Sequence, residues 1–417
     1  MTSRVASRSR GWAWWTLVLA PLYVLSCTLA EGGLTTVRPW GDVDQYERYG
    51  RLMLNGQIPY HNFYVEYPPG ALLAFVTPAI FTNTHAQYLW LFKLVMTLCG
   101  LAVMALMARC LVALGADARR FAIALGAFAI SPLALGHVFL NRFDLWPTLL
   151  TVAALTALLV GREVLSGGLL ALDFAAKVFA AALVPVAAIR VWRAGGRRRL
   201  ERTALSFAVV SLIVFLPFLG VAFGGLGNSY YTQAKRSLQI ETVGSSLLLA
   251  GDRLGFHHAP VTTNSPGSID LGGGTAHAVG AATTLLQVAL VLLVAALYRR
   301  GPESDERLVT AFASCVAAFA VFGKVLSPQF LIWLAPLIPL VGGKTGRRAT
   351  AALMLALVLT NLELRGYVGL SIETWAVWTL LVRNAVLVLI VSMLVWRLAR
   401  DDSVAVETIG GSQLEPA

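Results

Sequence analysis

The sequence predicts an all-α integral membrane fold, a bundle of about twelve transmembrane helices with two large outer loops. Three observations predict it. Of 417 residues, 57% are hydrophobic and only 13% charged, and mean hydropathy is +0.70, so the polar shell of a soluble domain is missing. Several runs exceed about eighteen residues with hardly a charge, enough to cross about 30 Å of hydrocarbon. The formal charge of +11 is carried in short arginine clusters between those runs. Such clusters set topology and exclude the single basic face of a nucleic-acid binder.

The spans follow in order, each tested by the side on which its basic flank falls. The basic start and the apolar run 12–30 read as an uncleaved first helix with its basic end in the cytoplasm, in preference to a cleaved signal. Residues 31–85 form the first outer loop, and its apolar piece from Ala71 to Phe81 is too short to cross. Spans at 86–114 and 121–140 come next, and a fourth returns to Arg162 and Glu163 by about residue 160. Val164 to Trp192 begins and ends beside arginines, which forces a hairpin of two short helices turning near Lys177. A span at 203–223 leads to the second outer loop, 224–275, rich in Gly, Ser, Thr and Asn. Further spans lie at 276–298, 307–323, 330–340, 349–365 and 373–396. Residues 1–400 thus make one transmembrane domain with both termini cytoplasmic, and 401–417 is a polar tail expected to be disordered.

Cys27, Cys99, Cys110 and Cys315 lie singly in apolar stretches, so neither a disulfide nor a Cys-bound metal is expected. The layout puts all six histidines on the outer side, together with the acids Asp42, Asp44, Glu47, Glu66 and Glu241. It also puts there Arg142, Lys177, Arg236, Lys324 and Arg365, cations that belong to no topology-setting cluster. Charges of that sign are scarce on an outer face, so the set points to a polar site facing outward. For Lys177 the structural alternative is a pair with Asp173 at i, i+4.

Gly41 to Gly70 is the most specific stretch. It carries Asp42 and Asp44 with Tyr46, Tyr49, Tyr60, Tyr64 and Tyr67. Carboxylates accept hydrogen bonds from sugar hydroxyls, and rings stack on sugar faces or pack in an interfacial aromatic belt. A carboxylate there can take a proton from an attacking hydroxyl, and nearby cations can stabilise a phosphate leaving group. Asp42 and Asp44 could also hold a divalent ion such as Mg²⁺ or Mn²⁺, although no cofactor is the expectation. No P-loop, dinucleotide fingerprint or serine-hydrolase elbow is present.

An ordered series of segments resembles a known family. They are Gly41-Asp42-Val43 with Tyr46 and Gly56 to Tyr60, Val65 to Gly70, Asn141 to Pro147, Ala175-Ala176-Lys177, Arg236 to Glu241, and Lys324 to Gln329. The series is similar to the bacterial multispanning glycosyltransferases of family 87, of GT-C architecture, which include actinobacterial polyprenyl-phosphate-mannose-dependent mannosyltransferases of the cell envelope. The resemblance implies a sugar donor on a polyprenyl phosphate, a glycolipid or polysaccharide acceptor, and an acidic base in the first outer loop, matched here to Asp42. Asp44 ranks second, as an orienting or hydroxyl contact. Charge and expected side assign Arg142, Lys177, Arg236 and Lys324 to phosphate, with Tyr60, Glu66, Tyr67, Asp144, Glu241 and Gln329 shaping the site. A flippase or transporter of lipid-linked sugars is the alternative, and it would need polar groups through the depth of the bundle. A non-catalytic scaffold would leave Asp42, Lys177 and Lys324 far apart.

Overall fold

The computed structural model describes residues 2–32, 41–263, 268–368 and 371–411. Apolar residues from Trp14 onward make the crossing part of α1 (Thr2–Glu31). In the first loop, Val43, Tyr46, Tyr49 and Gly50 recur at helical spacing and are the buried face of α2 (Val43–Leu54). That face packs on α3 (Leu72–Ile80), the apolar piece too short to cross. Residues 33–40 of this loop lie outside the described residues.

Thr84 and Gln87 cap one another reciprocally and start α4 (His85–Ala113), and Asp117 caps α5 (Ala118–Leu135). Next come α6 (Leu145–Leu159) and α7 (Glu163–Ala176). The chain turns at Lys177, which is extended, and a 3-10 stretch, Val178–Leu183, leads into α8 (Val184–Val221). α8 is two arms joined at Gly195 and Gly196, whose backbones are not helical, and Gly196 takes φ 64, a conformation open to glycine. Helices therefore stand where the hairpin and the following span were expected.

The segment expected to be the second outer loop differs from a Gly-rich irregular stretch. It folds as α9 (Phe223–Ala234), β1 (Leu238–Gln239), α10 (Val243–Arg253), β2 (Val261–Thr262) and β3 (Asp270–Leu271). The strands pair antiparallel in the order β1-β3-β2, with Gln239 and Thr262 both opposite Asp270. Its glycines include Gly225, where a Cβ would have no room against the Tyr60 carbonyl, so α9 docks on the first loop through a position that only glycine fills. Local composition hid this because the contact is tertiary.

The remainder comprises α11 (Gly273–Arg300), α12 (Asp305–Phe322), α13 (Phe330–Leu340), α14 (Gly343–Glu363), the hairpin of β4 (Tyr367–Val368) and β5 (Ser371–Ile372), and α15 (Thr374–Gly411). Every span expected from the sequence lies on a helix. By length and composition, seven segments among the described residues can cross a membrane: Trp14–Glu31, His85–Ala113, Ala118–Phe139, Val178–Val221, Gly273–Arg300, Gly343–Gly366 and Thr374–Arg400. The chain is thus a membrane protein. α6 and α13 are apolar but shorter. α13, with Pro336 and Pro339 inside it, is buried from Leu331 to Leu340, so protein and not lipid surrounds it. The far arm of α8 has the opposite character and exposes Leu205, Leu212, Ile213 and Leu216. Helix α15 is continuous to Gly411, and the rest of the tail expected to be disordered, 412–417, lies outside the described residues.

Gly70 fixes the first loop against the α7 terminus, because a Cβ there would lie 2.7 Å from the Ala175 carbonyl carbon. Gly70→Val should lower the thermal midpoint in detergent by several degrees, in line with an overpacking cost of about 1–3 kcal/mol. An unchanged midpoint in a fluorescence melt would contradict this packing.

Candidate active site

A cavity of about 710 Å³ opens at one end of the bundle, between the first loop, the turn before α6, the turn at Lys177, the α9–α10 segment and the α12–α13 turn. Of the site residues expected from sequence, Asp42, Glu66, Tyr67, Arg142, Lys177, Arg236, Glu241, Lys324 and Gln329 line it. Residues separated by up to 287 positions in sequence, Asp42 and Gln329, thus face one space. The wide separation that a non-catalytic scaffold would give to Asp42, Lys177 and Lys324 is not what the fold builds.

Asp42 stands at the N-terminus of α2. Its Oδ2 accepts from Arg142, from the Tyr67 hydroxyl at 3.0 Å and from the Tyr46 hydroxyl at 3.4 Å. Tyr67 is held from behind, since the Tyr60 hydroxyl donates to its carbonyl at 2.6 Å. Tyr60 itself has φ 65, a left-handed backbone that costs a bulky residue about 1–3 kcal/mol and persists only where neighbours fix it. Those neighbours are Phe63, whose carbonyl accepts the Tyr60 N–H at 3.0 Å, and Phe218, edge-on at 5.3 Å. Tyr60 is therefore buried and positions Tyr67 from outside the cavity wall. Tyr46 is likewise core, stacked on Phe75 at 4.4 Å, while Tyr49, Tyr64 and Tyr67 face the cavity.

Lys177 projects from the turn after α7, and its ammonium meets Asp144 Oδ1 at 2.6 Å. The same oxygen accepts Trp333 Nε1 at 2.7 Å. The rings of Phe143, Trp333 and Phe330 lie 4.6, 5.2 and 5.6 Å from the ammonium. Asp144 is fully buried behind this lysine, so it acts on the site through Lys177. The i, i+4 alternative fails, because the Asp173 carboxyl instead accepts from Thr151 at 2.5 Å.

Across the cavity, Lys324 donates to the Ala234 carbonyl at 2.7 Å, and partial burial beside Arg236 lowers its ammonium below the ordinary value. Arg236 is held weakly by Gln233 at 3.4 Å. Gln239 donates to Glu241 at 2.7 Å and to Ser327 at 3.0 Å, tying β1 to the α12–α13 turn. Beneath it lies a pair the sequence reading missed: Arg383 and Glu363, both fully buried, at 2.7 Å. Arg383 and Asn384 also donate to the Glu241 carbonyl, at 3.2 and 3.3 Å. The available signal was an arginine in the middle of the last apolar run, where a charge demands a partner. Arg48 is a further cation on the cavity that the expectation did not include. Five cations, Arg48, Arg142, Lys177, Arg236 and Lys324, therefore face three carboxyl groups, Asp42, Glu66 and Glu241. The excess suits an anionic ligand.

Asp44 falls elsewhere. Its side chain is 92% exposed and lies 3.7 Å from His85, because residues two apart near a helix start point to different sides. Asp42 and Asp44 therefore do not converge on one ion, and among the described residues no three His, Cys, Asp or Glu side chains gather as a metal site. None of the six histidines lines the cavity, and His137 is buried in the turn before α6.

A family model described as glycosyltransferase family 87 matches residues 64–328. In solved structures the chain is similar to ArnT from Cupriavidus metallidurans bound to undecaprenyl phosphate, with 12% identity and a TM-score of 0.50, covering 94% of this chain and 78% of that one. It is similar also to the apo state of that protein, at 13% identity and a TM-score of 0.49 over the same shares. The first likeness shows a shared fold. No curated protein matches the sequence.

Burial raises the Glu241 carboxyl to about 8, with Glu363 adding to the effect and Arg383, Arg142 and Arg236 opposing it. Between the ordinary carboxylate value of 4.5 and about 8, the folded chain keeps a proton that the unfolded chain has released. The stability this gives is full below the lower value and is lost as pH rises through the upper one. Glu241→Gln should flatten the fall in thermal midpoint across that window, and an identical fall in the variant would refute the assignment.

Proposed function

Because the chain belongs to glycosyltransferase family 87, we propose that it transfers a sugar, with mannose as the leading candidate, from a polyprenyl-phosphate donor to a glycolipid or polysaccharide acceptor. The observation that carries this reading is the placement of Asp42 and four cations, Arg142, Lys177, Arg236 and Lys324, on one cavity. The undecaprenyl phosphate in the ArnT structure of like fold supports a lipid-phosphate donor. The arginine clusters at the other end support a plasma-membrane protein with cytoplasmic termini and an extracytoplasmic site.

The reaction is an inverting displacement. The acceptor hydroxyl oxygen attacks the anomeric carbon as the bond from that carbon to the phosphate oxygen breaks. The bonding pair leaves on the phosphate, and the hydroxyl proton passes to Asp42. Arg142 pairs with Asp42, and a donor phosphate offers that guanidinium a second anion. Arg236 and Lys324 flank the same space and stabilise the departing charge, while Lys177 remains tied to Asp144 at its wall. Glu66, which forms no ion pair among the described residues, is available to acceptor hydroxyls.

Asp42→Asn keeps the size of the side chain and removes the base. It should lower sugar transfer in membranes supplied with lipid-phosphate sugar by about a hundredfold or more, at unchanged expression. Retained activity would remove Asp42 from this role.

A further inference from the structure

At the end of the bundle away from the large cavity, α8 and α11 enclose a second pocket of about 470 Å³, lined by Ile189, Ala295, Ala296, Arg299 and Arg300. Gln287 of α11 lines the large cavity, and Arg299 lies twelve residues further along that helix, about 18 Å away. The two spaces are separate.

Among the described residues, no hydrogen bond or ion pair holds the side chains of the two arginines of this pocket. The nearby acids Glu303 and Asp305 are taken by Arg190. Near the end of α11 the Tyr298 and Arg299 carbonyls, and that of Gly301 just beyond it, accept from Arg193, and the Leu297 carbonyl accepts from Arg307. Arg299 and Arg300 are exposed and have no acidic partner among the described residues. The wall beside them is apolar, and it continues along α11 through Leu292, Val288 and Leu285, all exposed and spaced to share one helix face with Arg299. A ligand that fits carries an anionic head and a hydrocarbon tail.

We infer that this pocket binds an anionic phospholipid, with its phosphodiester head between Arg299 and Arg300 and an acyl chain along Leu292, Val288 and Leu285. Guanidinium groups bind phosphate oxygens in bidentate fashion, and basic pockets at the ends of apolar helices select anionic over zwitterionic heads. The inference is independent of the reaction proposed for the large cavity.

The purified full chain, offered phosphatidylglycerol or phosphatidylcholine in detergent, tests it by native mass spectrometry. Wild type should retain phosphatidylglycerol in preference. The R299Q/R300Q pair should weaken that retention on the order of tenfold, as should Ala296→Trp, which fills the pocket and keeps both charges. The R197Q/R202Q pair removes as much charge from the same end outside the pocket and should bind as wild type does. Melting curves verify that each variant is folded. Equal loss in both arginine pairs would mean diffuse surface charge and overturn the site. No preference in wild type, or ready displacement by millimolar inorganic phosphate, would overturn the lipid.

Discussion

An ammonium group at the inner wall of an apolar bundle is tolerated only where an opposite charge meets it, and the pairing of Lys177 with Asp144 supplies that condition. The pair draws three elements to one point: the start of α6, the turn between α7 and α8, and α13 through Trp333. Positions close in sequence inherit the placement. Arg142 precedes Asp144 by two residues and so comes to rest on Asp42. Gln329 and Phe330 start α13 beside Trp333 and so close the cavity from the far side. An anionic ligand entering this space meets Arg142 and Lys177 already held by carboxylates.

A second pair, Arg383 with Glu363, does the same for the opposite wall. It joins α14 to α15 and supports the backbone at Glu241 and Thr242 through Arg383 and Asn384. Neither charge touches the cavity itself, yet removing one would strand the other in the interior, a cost of about 3–5 kcal/mol. Together the pairs explain how a site assembled from turns keeps a definite shape: each turn is tied to a charge that cannot leave.

Much of this was legible in the sequence. The helices follow from apolar runs, and the turn at Lys177 follows from arginines on both sides of a run too short to cross twice. The convergence of Asp42, Arg142, Lys177, Arg236 and Lys324 was approached through charge on the expected side of the membrane. Three things were not legible. The second loop read as irregular because Gly225 and its neighbours look like loop formers until the Tyr60 carbonyl is beside them. Asp44 read as a partner of Asp42, whereas the first turn of α2 sends the two side chains apart. Arg383 was lost inside a long apolar span, although its charge was the signal. Each miss concerns the direction in which a side chain points or what it meets across the fold, and spacing along the chain carries little of that.

The two glycines that break α8 have a mechanical consequence. One arm begins beside Lys177, and the other ends at α9, which brings Tyr230, Gln233 and Ala234 to the cavity. The far arm, residues 197–221, is about 37 Å long, so the angle set at Gly195 and Gly196 is magnified at its tip. A tilt of about five degrees there would move its tip by about 3 Å, roughly the length of one hydrogen bond. Close contact of Gly167 with Thr203 and ring contacts of Phe174 with Phe207 and Phe215 restrain that swing. The placement of α9 against the cavity therefore depends on the angle of a bend at the other end of that arm.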